Sequence, residues 1–489
     1  MARIGLLLPA DIWQCVASFI PEYHLLTLIS VNKAFYNIVL DARYREIHWA
    51  KLDPSMIKSL VRLRTPSIAG RVRRLHVRAW FIEYLIRKES LEPPSYGVST
   101  KRWVSRHLRL PSSPIRITPS ASGRSSAARD ILESMTEAVR LMAHVTEYSF
   151  EWRDLSPTAD TLKFLNAART GFGVSLRKLT LHAQLGNFTN LLSTVDFDNL
   201  EELELHFDHD LRDAKTGDQS RDLLRDAIAP FVNHFRRSIR CLLISSASTT
   251  DLSPLFYALN PFPHLRKFVA RLAFDAVHLS DPRGLVRILR TNSDTISSVE
   301  LGRSFASSSD VAPDPRSTWL GLTSALTLDL AVLVNLTTLK IPLLQDFDAT
   351  IACLRRSADT LTSLCLIDYF LAERELVELV QIFSHRPFDA GLKYLHVGVA
   401  YITPDVFDLL ASRLPGLLNL NLVLLDATLS EVAVSASTVY ESLLLFKSLF
   451  SIPAMLRPSF AWHWLAITTP IGACRTWASA SHPPRAESR

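Results

Sequence analysis

Between positions 8 and 49 apolar residues recur at helical spacing. Ile12, Trp13, Val16, Phe19 and Ile20 fall on one stripe at i, i+1, i+4, i+7 and i+8. Pro9 stands just ahead, where a missing N–H costs a helix nothing, and Asp11 favours the positive helix end. Pro21 stops the helix. A second short helix is predicted over Leu25, Leu26, Leu28 and Ile29, and a third from about Asn32 through Phe35, Ile38, Val39 and Ala42. Three helices this short cannot bury so many apolar side chains among themselves. Trp13, Phe19, Leu25 and Tyr36 therefore imply a partner surface.

Further along, one pattern repeats. Leu176-Arg-Lys-Leu179-Thr-Leu181 is followed by Leu200-Glu-Glu-Leu203-Glu-Leu205, Ile239-Arg-Cys-Leu242-Leu-Ile244 and Leu265-Arg-Lys-Phe268-Val-Ala270. Ile296-Ser-Ser-Val299-Glu-Leu301, Leu336-Thr-Thr-Leu339-Lys-Ile341 and Leu361-Thr-Ser-Leu364-Cys-Leu366 continue it. Leu392-Lys-Tyr-Leu395-His-Val397 and Leu417-Leu-Asn-Leu420-Asn-Leu422 complete nine copies. Their starts are 24, 39, 26, 31, 40, 25, 31 and 25 residues apart. The last two apolar residues of each flank one outward residue, as a half-buried strand requires; the first packs inward on the approach. Amphipathic stretches between them, such as 373–384 and 404–414, are long enough for one helix each. Strand plus helix per repeat, stacked, buries a continuous core that no repeat could form alone. A parallel-sheet domain would also alternate strands and helices. Its buried strands would run continuously apolar, whereas the middle position here is repeatedly Thr, Glu, Lys, His or Asn. Val72-Arg-Arg-Leu75-His-Val77 and Val145-Thr-Glu-Tyr148-Ser-Phe150 extend the array toward the N-terminus.

With 489 residues the chain exceeds a single core, which an elongated array permits. Five scattered cysteines (Cys15, Cys241, Cys353, Cys365, Cys474), with no C-x-x-C pair, read as reduced intracellular thiols. Residues 4–8 superficially resemble a signal peptide, but Pro9 and Asp11 interrupt the apolar run and no cleavage site follows. No window of about 18 uncharged apolar residues predicts a membrane span. Residues 57–116 hold 14 Lys/Arg against Glu83, Glu89 and Glu92, a local +11 in a chain of net charge +6. That segment reads first as a solvated basic face, then as a contact for an acidic or phosphorylated partner. Nucleic-acid binding ranks last, resting only on interleaved Trp80, Phe81, Tyr84 and Trp103.

The chain carries no phosphate-binding Gly-x-x-x-x-Gly-Lys, no His-Glu-x-x-His and no Gly-x-Ser-x-Gly. The carboxylates Glu201, Glu202, Glu204, Asp208 and Asp210 read as a solvated face of one repeat rather than a metal site.

Residues 8–49 resemble an F-box. Leu8-Pro9-Ala10-Asp11-Ile12-Trp13 matches its opening, Phe19-Ile20-Pro21 its middle, Leu25 and Leu28 its leucine positions, and Val31-Asn32-Lys33-Ala34-Phe35-Tyr36 its closing motif. Asn32 replaces the commoner Cys and Phe35 the commoner Trp. With the repeats, the chain is similar to the F-box/leucine-rich-repeat proteins abundant in basidiomycete fungi. The resemblance implies a non-enzymatic substrate receptor without cofactor. It would dock a Skp-family adaptor, and through it a cullin, while the repeats hold an unidentified protein substrate in the cytoplasm or nucleus. Leu8, Pro9, Ile12, Trp13, Val16, Phe19, Ile20, Leu25, Leu28, Val31 and Phe35 carry over as the adaptor-facing or module-core set.

The expected fold class is therefore α/β: an F-box over 5–50 and an irregular leucine-rich-repeat solenoid over 130–430. A basic connecting region over 51–129 contains a Pro/Ser-rich loop at about 90–127. A cap and atypical tail occupy 431–489, with 440–450 as candidate cap.

Overall fold

In the computed structural model, residues 9–91 and 127–424 are described, apart from stretches within the second span of which 209–216 and 303–321 are the longest. The predicted tail, its candidate cap, Leu8 and most of the Pro/Ser-rich loop lie outside the described residues.

Each apolar–x–x–apolar–x–apolar motif becomes a strand because its alternating side chains can leave the backbone only on opposite faces. The strands are β1 Glu46–Trp49, β2 Arg74–Arg78, β3 Glu147–Glu151, β4 Lys178–Gln184, β5 Glu202–Asp208 and β6 Cys241–Ser246. They continue as β7 Lys267–Arg271, β8 Ser298–Gly302, β9 Thr338–Pro342, β10 Ser363–Leu371, β11 Tyr394–Val399 and β12 Asn419–Leu424. Among the described residues these twelve form one sheet in which spatial order equals sequence order. Every neighbouring pair is parallel.

The register keeps the motifs in phase. Leu179 faces Leu203, then Leu242, Phe268, Val299 and Leu339, and Leu364, Leu395 and Leu420 follow. A second device fixes the same phase. The carbonyl of the residue after each motif's first apolar position accepts two backbone N–H groups from the next repeat. Arg177 O takes those of Glu201 and Glu202 at 2.8 Å each, and Thr362 O those of Lys393 and Tyr394 at 2.8 and 3.1 Å. One face of the sheet is buried under the connecting helices and the other carries the polar middle positions. Successive helices stack on one another, as Ala127–Arg140 does on Ala159–Phe172. The chain is thus an α/β solenoid with strand plus helix as its usual repeat, and the parallel-sheet-domain alternative fails on one-sided burial.

The array starts earlier than residue 130. Tyr44-Arg-Glu-Ile47-His-Trp49 is itself a repeat motif whose ends are aromatic, with all three apolar side chains buried. Its Arg45 carbonyl accepts the N–H groups of Arg73 and Arg74 at 2.8 and 2.9 Å, the same ladder contact as in every later repeat. The expected connecting region therefore contains array. Helix α4 (Pro54–Leu63), helix α5 (Pro66–Ala69), β2 and the helix Trp80–Leu91 all belong to it. Asp53 caps α4 by accepting the Met56 N–H at 2.7 Å.

The predicted helices form with small changes. α1 spans Ala10–Ser18, α2 Glu22–Leu25 followed by a 3₁₀ turn Leu26–Leu28, and α3 Lys33–Tyr44. Asn32 caps α3, its side chain accepting the Phe35 N–H at 2.8 Å. α3 serves two cores: Phe35 and Val39 pack with α1 and α2, while Leu40 and Tyr44 pack into the array. Arg71 ties the two together, donating to Asn37 O at 3.1 Å, Asn37 Oδ1 at 2.9 Å and Asp41 Oδ1 at 2.5 Å. No helix among the described residues is long and apolar enough to cross a membrane.

Candidate partner-docking face

The apolar arc of α1 splits into two stripes, not one. Trp13, Ala17 and Ile20 (i, i+4, i+7) turn inward, where Ala17 joins Leu25, Phe35 and Val39 in a small buried core and Trp13 meets Phe35 edge-on, ring centroids 5.2 Å apart. Ile12, Val16 and Phe19, one residue earlier each time, turn outward. Phe19 is 82% exposed, and Tyr23, Leu26, Val31 and Tyr36 are also exposed on α2, the turn and α3. A module that buries four apolar side chains thus leaves seven large ones in water, a density that marks a contact surface.

The resemblance-derived residues divide accordingly. Pro9, Ile12, Val16, Phe19 and Val31 are exposed; Trp13, Ile20 and Leu28 are half-buried against the module core; Leu25 and Phe35 are in it. Leu25, expected to imply a partner surface, is covered by the module's own helices. Tyr23 and Leu26 are exposed members that hold no position in the F-box resemblance. Their signal was present only as excess apolar character around Leu25.

The polar face of the array is compensated in charge. Along the first outward row, Glu46, Arg74, Glu147, Lys178 and Glu202 face one another in register and alternate in sign. Arg74 Nε lies 2.9 Å from Glu147, and Lys178 Nζ 2.7 Å from Glu204. Burial alone would raise Glu204, but the nearby His206 imidazole and close contacts from Lys178 and Thr180 hold it down to about 2. Burial pushes the Cys241 thiol up to about 11, with Glu202 adding to the shift. Further along, Arg271 and Lys340 both reach Glu300, at 2.9 and 3.0 Å. Of the carboxylates expected to be a solvated face, Glu201, Glu202, Glu204 and Asp208 form one half of an ion-pair network, and Asp210 lies outside the described residues. An open hollow of about 540 Å³ beside the starts of β5–β8 is lined by Glu201, Arg237, Arg240, His264, Arg266 and Thr295, among others.

Much of the basic segment's described part has partners. Arg64 pairs with Glu137, Arg71 with Asp41, Arg74 with Glu147 and Arg78 with Glu151. Trp80 lies under the Arg153 guanidinium, 3.7 Å from the ring centroid, and Phe81 is buried. Tyr84 is exposed, while Trp103 lies outside the described residues. No continuous stacking platform is formed by the aromatic residues described.

No family model matches the chain, and no curated protein does. Among solved structures, the leucine-rich-repeat-containing protein LegL7 from Legionella pneumophila is 16% identical. That match covers 63% of this chain and 93% of that one, with a TM-score of 0.35. A chain of the yeast Rad7 and Elc1 complex is 15% identical, covering 64% of this chain and 88% of that one, with a TM-score of 0.29. The fold rests on the chain's own strand register and not on these likenesses.

Proposed function

We propose that this chain is the substrate-recognition subunit of a Skp–cullin–F-box ubiquitin ligase. The N-terminal module docks a Skp-family adaptor, a cullin joins through that adaptor, and the array holds a target protein in the cytoplasm or nucleus. The chain itself makes and breaks no bonds in this role.

The observation that carries the reading is the outward stripe Ile12, Val16 and Phe19 on a module too small to cover it. Aromatic and aliphatic anchors on a pre-formed helix cost little entropy to bury, so a complementary adaptor groove gains most of their transfer free energy. The array supplies a long, rigid polar face, suited to reading a protein surface through varied side chains.

Co-purification with a Skp-family adaptor tests the reading, comparing the wild-type chain with an Ile12→Ala, Val16→Ala, Phe19→Ala variant. All three side chains are exposed, so the variant keeps its fold by circular dichroism while losing the adaptor. A folded wild type that captures no adaptor would remove the ligase role and leave a repeat scaffold.

A further inference from the structure

The first two strands bring together three side chains of metal-ligating type that no part of the docking reading uses. Strand alternation puts Glu46 and His48 on the same face of β1, and the parallel register sets His48 directly opposite His76 on β2. The two imidazoles stack, 8° from parallel and 4.6 Å between centroids. Glu46 Oε1 lies 2.7 Å from His48 Nε2 and 3.7 Å from His76 Nε2. One donor atom from each residue falls within 4.8 Å of the other two.

We propose that Glu46, His48 and His76 form a binding site for a zinc-class divalent cation. Tetrahedral coordination with bonds of about 2.0–2.1 Å places ligand atoms roughly 3.3 Å apart. The two carboxylate–imidazole separations, 2.7 and 3.7 Å, straddle that value. Closing the site needs only side-chain rotation, which the exposure of Glu46 and His48 permits. Two imidazole nitrogens and one carboxylate oxygen suit Zn²⁺, Cu²⁺ or Ni²⁺ rather than Mg²⁺ or Ca²⁺, and three protein ligands leave a fourth position for water.

The surrounding charges are arranged compatibly. Arg74 approaches Glu46 through Oε2, at 3.5 Å, while Oε1 faces the histidines. The guanidinium thus orients the carboxylate without occupying its ligand atom, as outer partners of metal ligands do. Arg74 is also held by Glu147 on β3 at 2.9 Å, which offsets its repulsion of a cation. A cation here would cross-link β1 to β2. It would stiffen the strand that directly follows α3 and so the attachment of the N-terminal module.

The test is titration of the chelator-stripped full chain with Zn²⁺ by calorimetry and with Co²⁺ by visible absorption. His48→Ala/His76→Ala is compared with a control pair, His182→Ala/His206→Ala, which face each other on β4 and β5. The site predicts one bound equivalent in the wild type and the control, with the ligand-field bands of four-coordinate Co²⁺. That equivalent and those bands disappear in His48→Ala/His76→Ala. Glu46→Gln, which leaves both histidines in place, weakens the same equivalent. Unchanged stoichiometry in His48→Ala/His76→Ala, or equal loss in the control pair, overturns the assignment.

Discussion

Phe19 and Phe35 are the same residue type in one small module, and the structure predicts opposite consequences for losing them. Phe35 is 4% exposed and is one of four buried apolar side chains in that core among the described residues. Removing a buried Phe costs about 3–5 kcal/mol, and its edge-on contact with Trp13 adds roughly 0.5–1.5 kcal/mol. A core this small has no reserve for such a loss, so Phe35→Ala opens residues 10–39 while the array, with its separate core, persists. Phe19, at 82% exposed, contributes little to folding, and Phe19→Ala stays within about 0.5 kcal/mol of wild type. Its cost falls on docking. A Phe presents about 150–250 Å², so at ~25 cal/mol per Å² the exposed part sets a ceiling near 3–5 kcal/mol. Interface anchors realise about 2–4 kcal/mol of that, roughly 30- to 700-fold in Kd. Hydrogen exchange by mass spectrometry reads the first effect and calorimetry against a Skp-family adaptor the second. Val174→Ala serves as a control, an exposed apolar side chain on the array, 73% exposed. Fast exchange over α1 in Phe19→Ala would refute the two-sided reading of that helix. Wild-type adaptor affinity in Phe19→Ala would place the docking face elsewhere.

Three further outcomes follow from the array. Asn292 is buried, accepting the Phe262 N–H and donating to Ile288 O, both at 2.7 Å. Asn292→Leu orphans that N–H and should lower stability in urea by about 1–3 kcal/mol; no loss would mean the amide finds another acceptor. The Tyr148 hydroxyl is buried with no hydrogen-bond partner among the described residues. Tyr148→Phe should therefore be neutral or stabilising by up to about 1 kcal/mol, and a clear loss of urea midpoint would show an unrecognised partner. Glu204, held at about 2 against an ordinary 4.5, stabilises the fold fully above pH 4.5 and loses that contribution as pH falls toward 2. Glu204→Gln should flatten that part of the acid-unfolding profile, by roughly 1–3 kcal/mol across the window; an unchanged slope would show that the network does not select the ionised form.

The two ends of the sheet differ in how visible they were. β4–β12 were legible because each motif is complete and apolar, and the same periodicity that identifies a strand also fixes its buried face. β1 escaped because Tyr44 and Trp49 stand where leucine was sought, within a stretch that also matched the F-box resemblance. Charge pairing in the basic segment was hidden for another reason. Its arginines sit beside few acids in sequence, yet Arg64, Arg74 and Arg78 each find a glutamate 73 residues away. For Arg74 and Arg78 that spacing is the β2–β3 register itself, whereas Arg64, at the end of α4, meets Glu137 on the helix Ala127–Arg140.

Local patterning alone therefore determined the element types, the repeat phase and the existence of an N-terminal helical cluster with too much apolar surface. These depend on alternation and on helix period, which neighbouring residues along the chain set by themselves. Only the tertiary structure decided which apolar residues of α1 are covered, which arginines are neutralised, and that His48 and His76 meet with Glu46. Those outcomes depend on what lies across a helix interface or an adjacent strand. A side chain's exposure and its partners are properties of the packed neighbour, and the sequence specifies that neighbour only through the fold.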